Sequence, residues 1–576
     1  MTLHEPVWIS PKEDPELYQK IIKEFRIHPI TAQILISRGF STFDQINRFL
    51  YSKLPDLHDP KLLTDMNKAV LRVNRALKKK ETILIYGDND VDGMTGTALL
   101  TEFLRQVGGK VEYYVPNQNI SRKNLFIDAL EFAQEKECKL MITIDCGITA
   151  AREIQKIVNQ GIDVIVTDHH EPTDKIPNCV ATLNPKLHQQ TYPNRELTGV
   201  GVAFKLAHGI TNYLVSKKEI SRTKIDLKTY LDLVALGTIA DMGILLDENR
   251  ILVRYGIKQL QKTKRMGLLK LFAICAVDRS EITTVDIASK IAPRMNSLGR
   301  VADPRKGVEL LLVRNESQAE SLAKELDLFN IERQKVEQVA SLDVEKYLET
   351  HPEIFKNRAI VLSSDKWHPG IIPIISARIT RQYNRPTILI AIANGVGKGS
   401  IRTIREFPLL PVLKKCSDLL LNYGGHDFAA GLSIKEENIE KLTKRFIHAA
   451  NSALKEQDIL SKLHLDAPAD FKELTYDLLS SLELFEPYGN ENPPPVLYCE
   501  AKQAWPPKVI SGTHLKLYLE QDDRMLEGIA FGMAEKRDEI RKKNITLQIA
   551  YTPQINRFHN KSSIQLLIRD FKVKPT

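Results

Sequence analysis

Four groups of acidic and histidine residues follow apolar stretches in the chain, and their residue types suit divalent-metal chemistry. The groups are the turn D-N-D-V-D-G with Asp88, Asp90 and Asp92, then Asp145 in TIDCG, the triplet Asp168-His169-His170, and Asp241 in ALGTIADMG. Carboxylates that converge repel one another and raise each other's pKa unless cations lie between them. If the four groups meet at one edge of a sheet, they predict a metal site there.

A single aspartate after a strand has a simpler explanation, because aspartate often caps the following helix. For Asp145 or Asp241 alone, the cap is the favoured interpretation. Oxygen ligands with one or two imidazoles and no thiolate suit Mn²⁺ or Mg²⁺ better than structural zinc. We expect Asp90 and Asp92 to lie in an extended segment and face the metals together, with Gly93 allowing a tight exit into a helix.

Two such ions about 3.5–4 Å apart activate water and neutralise the charge that develops in an in-line displacement. The chemistry predicted for the four groups is therefore phosphoester hydrolysis.

Strand-like and helical patterns alternate along the first half of the chain, as in βαβ units. The strand candidates are ETILIYG, KVEYYVP, KLMITIDCG and IDVIVTDHH. Such units build a parallel sheet, and ligands bind in the crevice outside the carboxyl ends of its strands. The fold class predicted is α/β, with four acid-bearing or histidine-bearing groups at strand ends.

The second half of the chain shows three further patterns. Residues 315–348 contain no Gly or Pro and place apolar residues at 322, 326, 329, 336 and 340, which predicts a long connecting helix. A second α/β block follows, and then short alternating strands typical of a small β-barrel. We predict a helical lead-in over residues 1–54, an α/β domain over 55–314, the connecting helix over 315–349, a second α/β domain over 350–456 and a barrel over 457–576.

Composition limits the class of protein. The chain has 576 residues, 43% of them hydrophobic and 27% charged, as in soluble multidomain proteins. Its start lacks a signal-peptide pattern, and no stretch approaches the roughly 18 apolar residues of a membrane span, so a cytoplasmic location is expected. The six cysteines form no CxxC pair. The net charge of +9 suits a polyanionic partner without proving one.

The four groups together resemble the signatures of the DHH phosphoesterase family. Further motifs, in order, resemble its single-stranded-DNA exonuclease branch: LTGVGVAFKL, IAPRMNSLGR, WHPGIIPIISAR, GKGSIRTI, NYGGHDFAAG and EPYGNENPPPV. The resemblance implies that two Mn²⁺ or Mg²⁺ ions are held by Asp90, Asp92, Asp145, His169 and Asp241. It also implies that His170 and Asp168 lie beside the scissile phosphate or orient ligands, a role that fixes ligand geometry. Asp88 ranks lower and shapes the turn.

The resemblance also implies a group that binds the 5′ phosphate: Ser400, Arg402, Gly424, Gly425 and His426. A plain loop and a core histidine are the alternatives. Arg294, Asn296 and Arg300 would face the nucleic-acid backbone, unless they form structural ion pairs. The barrel resembles an oligonucleotide-binding (OB) fold, with Lys508, His514, Lys516, Arg557 and Phe558 as candidate contacts or solvated surface residues.

The function implied is a 5′-to-3′ exonuclease that degrades single-stranded DNA to mononucleotides in recombination and repair. It would act as a monomer on single-stranded DNA, with a single-strand-binding protein and a helicase as candidate partners. The alternatives are a DHH phosphoesterase acting on short oligonucleotides or cyclic dinucleotides, and a non-catalytic DNA-binding scaffold. The segment PNQNISRKN departs from the family pattern, so altered contacts to the first nucleotides or an altered substrate preference both stay open.

Overall fold

The computed structural model describes residues 5–117, 125–188, 191–221, 223–541, 545–558 and 561–574, with side chains except at 125, 300, 301, 557, 558 and 561. Most of PNQNISRKN lies outside these residues. The chain forms two compact units. The first contains Lys53–Ile459 and Gly489–Glu491; the second contains Thr2–Ser52, Leu460–Tyr488 and Asn492–Thr576.

The chain begins in the second unit with one short strand and three helices. They are β1 (Val7–Ile9), α1 (Pro15–Phe25), α2 (Pro29–Ser37) and α3 (Phe43–Tyr51). Asp14 caps α1 by accepting from the Leu17 N–H, and Thr42 caps α3 with a reciprocal contact to Gln45. The helical pattern predicted here is present.

A parallel five-stranded sheet forms the centre of the first unit. Its strands are β2 (Thr82–Gly87), β3 (Lys110–Tyr114), β4 (Cys138–Ile144), β5 (Asp163–Thr167) and β6 (Ala181–Leu183), in the order β3-β2-β4-β5-β6. Helix α4 (Met66–Lys79) precedes the sheet, and the helices between its strands are α5 (Val91–Gln106), α6 (Leu125–Glu135) and α7 (Ala151–Asn159). All six residues of β2 are buried, as expected for a strand covered on both faces. The adjacent strands β2, β4 and β5 end at the same edge.

Seven helices follow the sheet and enlarge its core. They are α8 (Gly199–Ser216), α9 (Leu231–Ala240), α10 (Asp247–Leu260), α11 (Met266–Ile274), α12 (Thr284–Asp286), α13 (Ala292–Val301) and α14 (Arg305–Leu312). Helix α9 is buried at nine of its ten positions. An all-round apolar helix of this kind belongs to the interior of a large domain.

The predicted long helix is α15 (Glu316–Thr350), 35 residues in length. Leu322 and Leu326 on the predicted apolar stripe are buried, but Val336 is 37% exposed. Arg333 is buried instead and donates to Asn330 Oδ1, so the stripe is interrupted by a polar contact in the middle of the helix.

A second α/β domain follows α15 within the first unit. Its elements are β7 (Ile360–Ser364), α16 (Ile372–Tyr383), β8 (Thr387–Ala393), β9 (Val396–Arg402), α17 (Leu409–Lys415), β10 (Leu420–Gly425), β11 (Ala429–Lys435) and α18 (Ile439–Ala453). The sheet order is β10-β11-β9-β8-β7, and only β7 and β8 are parallel.

The second unit closes into a barrel. Its remaining elements are β12 (Lys462–His464), β13 (Ala467–Pro468), α19 (Tyr476–Leu482), β14 (Leu497–Ile510), β15 (His514–Gln521), β16 (Arg524–Ala530), β17 (Thr546–Phe558) and β18 (Lys561–Val573). The order β14-β15-β16-β18-β17 returns to β14, which gives a closed five-stranded barrel. The predicted fold class is confirmed. Among the described residues, no helix is long and apolar enough to cross a membrane.

Candidate active site

The acidic turn after β2 connects the strand to α5. Asp90 is the N-cap of α5, and its Oδ1 accepts from the Gly93 N–H at 3.0 Å. Asp92 lies in the first helical turn, so our expectation of an extended Asp90–Asp92 segment was wrong; the cap turns the chain one residue earlier. A Cβ on Gly93 would lie 2.4 Å from the Asp88 carbonyl oxygen, so only glycine allows this approach.

The start of α8 holds the Asp92 side chain, which is fully buried. Its two oxygens accept from the backbone N–H groups of Gly199 at 2.6 Å and Val200 at 2.9 Å. A Cβ on Gly199 would lie 2.6 Å from the side chain of Asp145. The N-terminus of α8 therefore presses directly against two acids, and its positive dipole end partly offsets their charge.

Asp145 directly follows β4 and has a left-handed backbone conformation, with φ of 61°. Its Oδ1 lies 3.0 Å from His169 Nε2, yet both of these buried atoms lack a hydrogen-bond partner within the described chain. Buried polar atoms are normally paired, because an unsatisfied one costs about 1–3 kcal/mol. Two facing atoms with free lone pairs are suitable ligands for a cation.

Asp241 reaches the same place from a helix and not from a strand. It is the C-cap residue of α9, and its Oδ2 lies 3.7 Å from His169 Nε2. The expectation of four strand ends was therefore wrong for this group: only the first three follow β2, β4 and β5. The N-terminal cap considered for Asp145 and Asp241 is also absent, since Ala150 caps α7 and Asp241 ends its helix.

The acids and histidines form three overlapping groups whose candidate ligand atoms lie within 4.8 Å of one another. The groups are Asp88-Asp90-Asp145, Asp92-His169-Asp241 and Asp145-His169-His170. Asp145 links the first of these groups to the third. The three groups suit divalent ions, which these residues would hold, and Asp88 lies in the same ligand-rich region.

The electrostatics of the protein without metal agree with that fit. Burial, reinforced by neighbouring carboxylates, raises the pKa of Asp88 and of Asp241 to about 7 and raises those of Asp92 and Asp145 well above their usual range. Burial lowers the pKa of His169 to about 3, which keeps the imidazole neutral. Neutral imidazole is the form that binds metal, and protons on the acids are what a cation displaces.

Asp168 orients the histidines of the triplet. Its Oδ2 accepts from the Ile148 N–H at 2.8 Å, and its Oδ1 accepts from the N–H groups of His169 and His170 and from His170 Nδ1 at 2.8 Å. Burial by itself would lower the pKa of His170, but the contact with Asp168 raises it to about 9. The same contact lowers the pKa of Asp168, against the effect of its burial. His170 is therefore a cation held in one orientation.

A cleft of about 850 Å³ in the same unit contains the predicted phosphate-binding residues. Ser400 and Arg402 lie on one face of β9, and Arg402 Nη1 donates to Ser400 Oγ at 3.2 Å. No carboxylate pairs with Arg402 within the described chain, and burial lowers its pKa. Gly424, Gly425 and His426 line the same cleft, and the rings of His170 and His426 stack at 5.3 Å.

Three comparisons with known proteins bear on this architecture. The chain is 32% identical to the single-stranded-DNA-specific exonuclease RecJ of Haemophilus influenzae over 94% of this chain and 96% of that protein. It is equally identical to Bacillus subtilis RecJ over 98% of this chain and 71% of that protein. The chain belongs to the RecJ family.

Family models and a solved structure agree with this membership. The DHH family N-terminal domain matches residues 82–238, the DHHA1 domain matches 356–452, and the RecJ OB domain matches 465–570. The crystal structure of Thermus thermophilus RecJ in complex with Mn²⁺ has a TM-score of 0.82 and 26% identity, covering 99% of this chain and 80% of that one. Each match lies inside one predicted domain; the predicted boundaries stay predictions.

The residues predicted to face the DNA backbone have different placements in this RecJ-family chain. Arg294 Nε pairs with Asp327 Oδ1 at 2.8 Å, which is the ion pair considered as the alternative. Asn296 Oδ1 accepts from the Val91 N–H at 3.2 Å and lines the cleft. The side chain of Arg300 lies outside the described residues.

Sequence reasoning missed several residues that line the RecJ-family cleft. Lys398 lies on the same face of β9 as Ser400 and Arg402, and the alternation of a strand was the signal that identifies it. Asn89 lines the cleft between two acids of the DHH turn. His368, within the motif WHPGIIPIISAR, lines it as well.

One face of the barrel combines aromatic and basic side chains. Trp505 is 52% exposed and pairs in register with Tyr518. The amines of Lys508 and Lys516 lie 5.7 and 5.3 Å from the centre of the Tyr518 ring. His514 lies at the start of β15 against Phe531, whereas the side chains of Arg557 and Phe558 lie outside the described residues. Tyr518 and Trp505 were missed because neither stands in a motif.

Proposed function

We propose that this RecJ-family chain is a metal-dependent exonuclease that hydrolyses the phosphodiester bonds of single-stranded DNA. The observation that carries the proposal is the buried Asp145–His169 pair, whose facing atoms lack hydrogen-bond partners within the described chain and lie among four further carboxylates. Asp90, Asp92, Asp145, His169 and Asp241 would hold two Mn²⁺ or Mg²⁺ ions, with Asp88 as an additional donor. Bound there, such ions activate water and neutralise the developing charge on phosphate.

In the triplet, His169 would bind metal and His170 would contact the substrate. His169 stays neutral and presents Nε2 to the acids. Asp168 locks His170, whose positive charge is available to the phosphate oxygens next to the cleft. Asp168 is a positioning residue, because its oxygens already accept hydrogen bonds from the two histidines of the triplet and from the Ile148 N–H.

The cleft supports degradation from the 5′ end. Arg402 is a buried guanidinium without a carboxylate partner in the described chain, beside the hydroxyl of Ser400, and this combination suits a terminal phosphate. His426 of the cleft stacks on His170 of the metal site. A 5′ phosphate bound at Arg402 therefore lies next to the hydrolytic site, an arrangement that releases mononucleotides from the 5′ end.

Several wider properties belong to the same proposal. We place the enzyme in the cytoplasm, in recombination and repair, as a monomer acting with a single-strand-binding protein and a helicase. The exposed Trp505 and Tyr518, with two lysines beside them, support strand binding by the barrel, since bases stack on aromatic rings in OB folds.

The decisive assay uses single strands labelled at the 5′ or the 3′ end, with Mn²⁺ or with EDTA. Early release of the 5′ label as a mononucleotide, only with Mn²⁺, is expected. Early release of the 3′ label would contradict the polarity, and cleavage confined to dinucleotides would favour the short-substrate alternative. Binding without cleavage would favour the scaffold.

A further inference from the structure

A second cleft, of about 970 Å³, lies at the other end of the DHH domain. It is lined by the C-terminal end of α5, the start of α9, the loop between α10 and α11, and the end of α14. Helix α5 begins beside the metal ligands at Val91 and ends at Gln106. Its 16 residues span about 24 Å, so this cleft is separate from the candidate active site.

The floor of the cleft is a closed network around Arg265. The guanidinium pairs with Glu102 at 2.7 Å and with Asp232 at 3.0 Å, and it donates to the Leu311 carbonyl at 3.4 Å. Thr263 Oγ1 donates to the same Asp232 oxygen at 2.8 Å. Asp232 and Thr263 are each 1% exposed. The network ties α5, α9 and α14 to the α10–α11 loop and fixes that loop in place.

The rim of the cleft carries four more cations: Arg105, Lys262, Lys264 and Arg314. All four are exposed, and none pairs with a carboxylate anywhere in the described chain. Among the described residues that line the cleft, the two acids are Glu102 and Asp232, and both are already engaged by Arg265. The cleft therefore has an uncompensated positive charge, and a concave positive surface concentrates anions.

The start of α11 adds backbone donors to this charge. The helix begins at Met266, and its N-cap residue Arg265 supplies no side-chain acceptor to the first-turn N–H groups. A Cβ on Gly267 would lie 1.8 Å from the Leu310 carbonyl oxygen, so the first turn packs directly on α14. Apolar side chains of Met266, Leu312 and Val313 line the same space.

We infer that this cleft is a second anion-binding site, which takes the phosphate of a nucleotide, either free or within a nucleic-acid strand. The rim cations bind the phosphate, and the apolar lining accepts the base. The volume lies within the range of about 300–1,000 Å³ that is usual for small-ligand sites. The inference does not depend on hydrolysis at the metal site.

The test compares the full chain with two double variants. Lys262→Glu/Lys264→Glu reverses charge on the rim, and both side chains are exposed, so the fold is retained. The matched control is Lys346→Glu/Lys356→Glu, which makes the same charge change at exposed positions of the same unit. Arg402→Ala removes the predicted phosphate contact near the metal site. Mn²⁺-dependent hydrolysis of a short 5′-phosphorylated strand reports separately on the proposed function.

Two binding measurements in EDTA distinguish the sources of the phosphate. Calorimetry with deoxyadenosine 5′-monophosphate is expected to show two equivalents for the wild type and control, and one for either the rim variant or Arg402→Ala. If the site takes a strand instead, the rim variant loses affinity for a fluorescent single strand while the matched control does not, and the salt slope of the rim variant becomes shallower by about 1.4, since each lost phosphate contact counts about 0.7. A rim variant that matches the control in both measurements overturns the inference.

Discussion

Replacing Asp145 by Asn is expected to make the metal-free protein more stable while abolishing its response to metal. The Asp145 Oδ1 and His169 Nε2 atoms lie 3.0 Å apart, buried and without a hydrogen-bond partner in the described chain. An asparagine amide at this position donates to the imidazole and completes the missing hydrogen bond. Asparagine also tolerates the left-handed backbone at φ 61°, which alanine does not.

The size of the effect follows from the atoms that become satisfied. A buried polar group left without its partner costs about 1–3 kcal/mol, and the substitution also replaces an acid whose ionisation is opposed by burial and by four other carboxylates. A rise of about 1–3 kcal/mol corresponds to about 2–12 °C in the melting temperature of a domain of 150–250 residues, and to a smaller shift in the larger first unit. Wild-type protein at a Mn²⁺ concentration 100 times Kd gains about 2.7 kcal/mol, and Asp145→Asn gains almost nothing.

The measurement is thermal unfolding of the wild type, Asp145→Asn and Asp145→Ala, each in EDTA and in Mn²⁺, together with hydrolysis of a single strand. Asp145→Ala is the comparison that loses the carboxyl group without supplying the amide donor; it should melt below the wild type in EDTA, since it also bears the cost of alanine in the left-handed backbone. The reasoning is refuted if Asp145→Asn in EDTA melts at or below the wild-type temperature, or if it keeps the Mn²⁺-induced rise.

The remaining predictions use the same site and the same unit. Ala at His169 is expected to abolish hydrolysis while strand binding in EDTA is retained, as measured by fluorescence anisotropy; full activity would contradict the ligand assignment. Gly199→Ala should weaken Mn²⁺ binding in calorimetry at least tenfold, because the new Cβ meets the Asp145 side chain at 2.6 Å. Gly201→Ala is the control in the same helix, since its Cβ would lie 3.2 Å from the Leu197 side chain and away from the acids. Lys205→Met should cost about 3–5 kcal/mol in urea unfolding, because it leaves the fully buried Glu248 carboxylate unpaired.

The pH dependence of the metal-free protein has a definite sign. The pKa of Asp241 is about 7 in the folded protein, above its ordinary value of 3.8, so the folded state retains a proton that the unfolded chain releases. Stability in EDTA should therefore fall as pH rises from about 4 to 7 and level off above that. Mn²⁺ competes with these protons, so its affinity should rise over the same window. Calorimetry and melting curves at several pH values measure both trends, and a flat profile would contradict the raised pKa.

Much of the site could be predicted from residue type and order, because the chemistry of a ligand is visible in its side chain. Asp145, His169 and Asp241 were identified from single motifs, and the parallel sheet explains why two of them meet. We expected Asp241 to join them from the end of a strand, but it lies at the C-terminal end of the buried helix α9. A helix and a strand both appear as short apolar runs when every face is covered, and periodicity alone does not separate them.

What the sequence did not reveal are contacts between distant segments. The backbone N–H groups of Gly199 and Val200 bind Asp92, and backbone groups cannot be recognised from residue type. The only trace in the sequence is the glycine at 199, which is required for steric reasons. Arg294 illustrates the reverse case: its type suits a phosphate, but Asp327 on α15 lies within 2.8 Å of it. Whether an arginine faces an acid or a ligand depends on packing that no local pattern encodes.

The two arginines that lie deepest in their clefts show how pairing separates structural from functional charge. Arg265 is bound by two carboxylates, a backbone carbonyl and the surrounding loop, so it builds the floor of its cleft and has little capacity left for a ligand. Arg402 is also largely buried, but its described contacts are a hydroxyl and the Ile401 carbonyl. A buried cation without an anion is costly, and a phosphate supplied by the substrate removes that cost. The site therefore gains from binding a strand end, which is the physical basis for expecting recognition of a 5′ phosphate there.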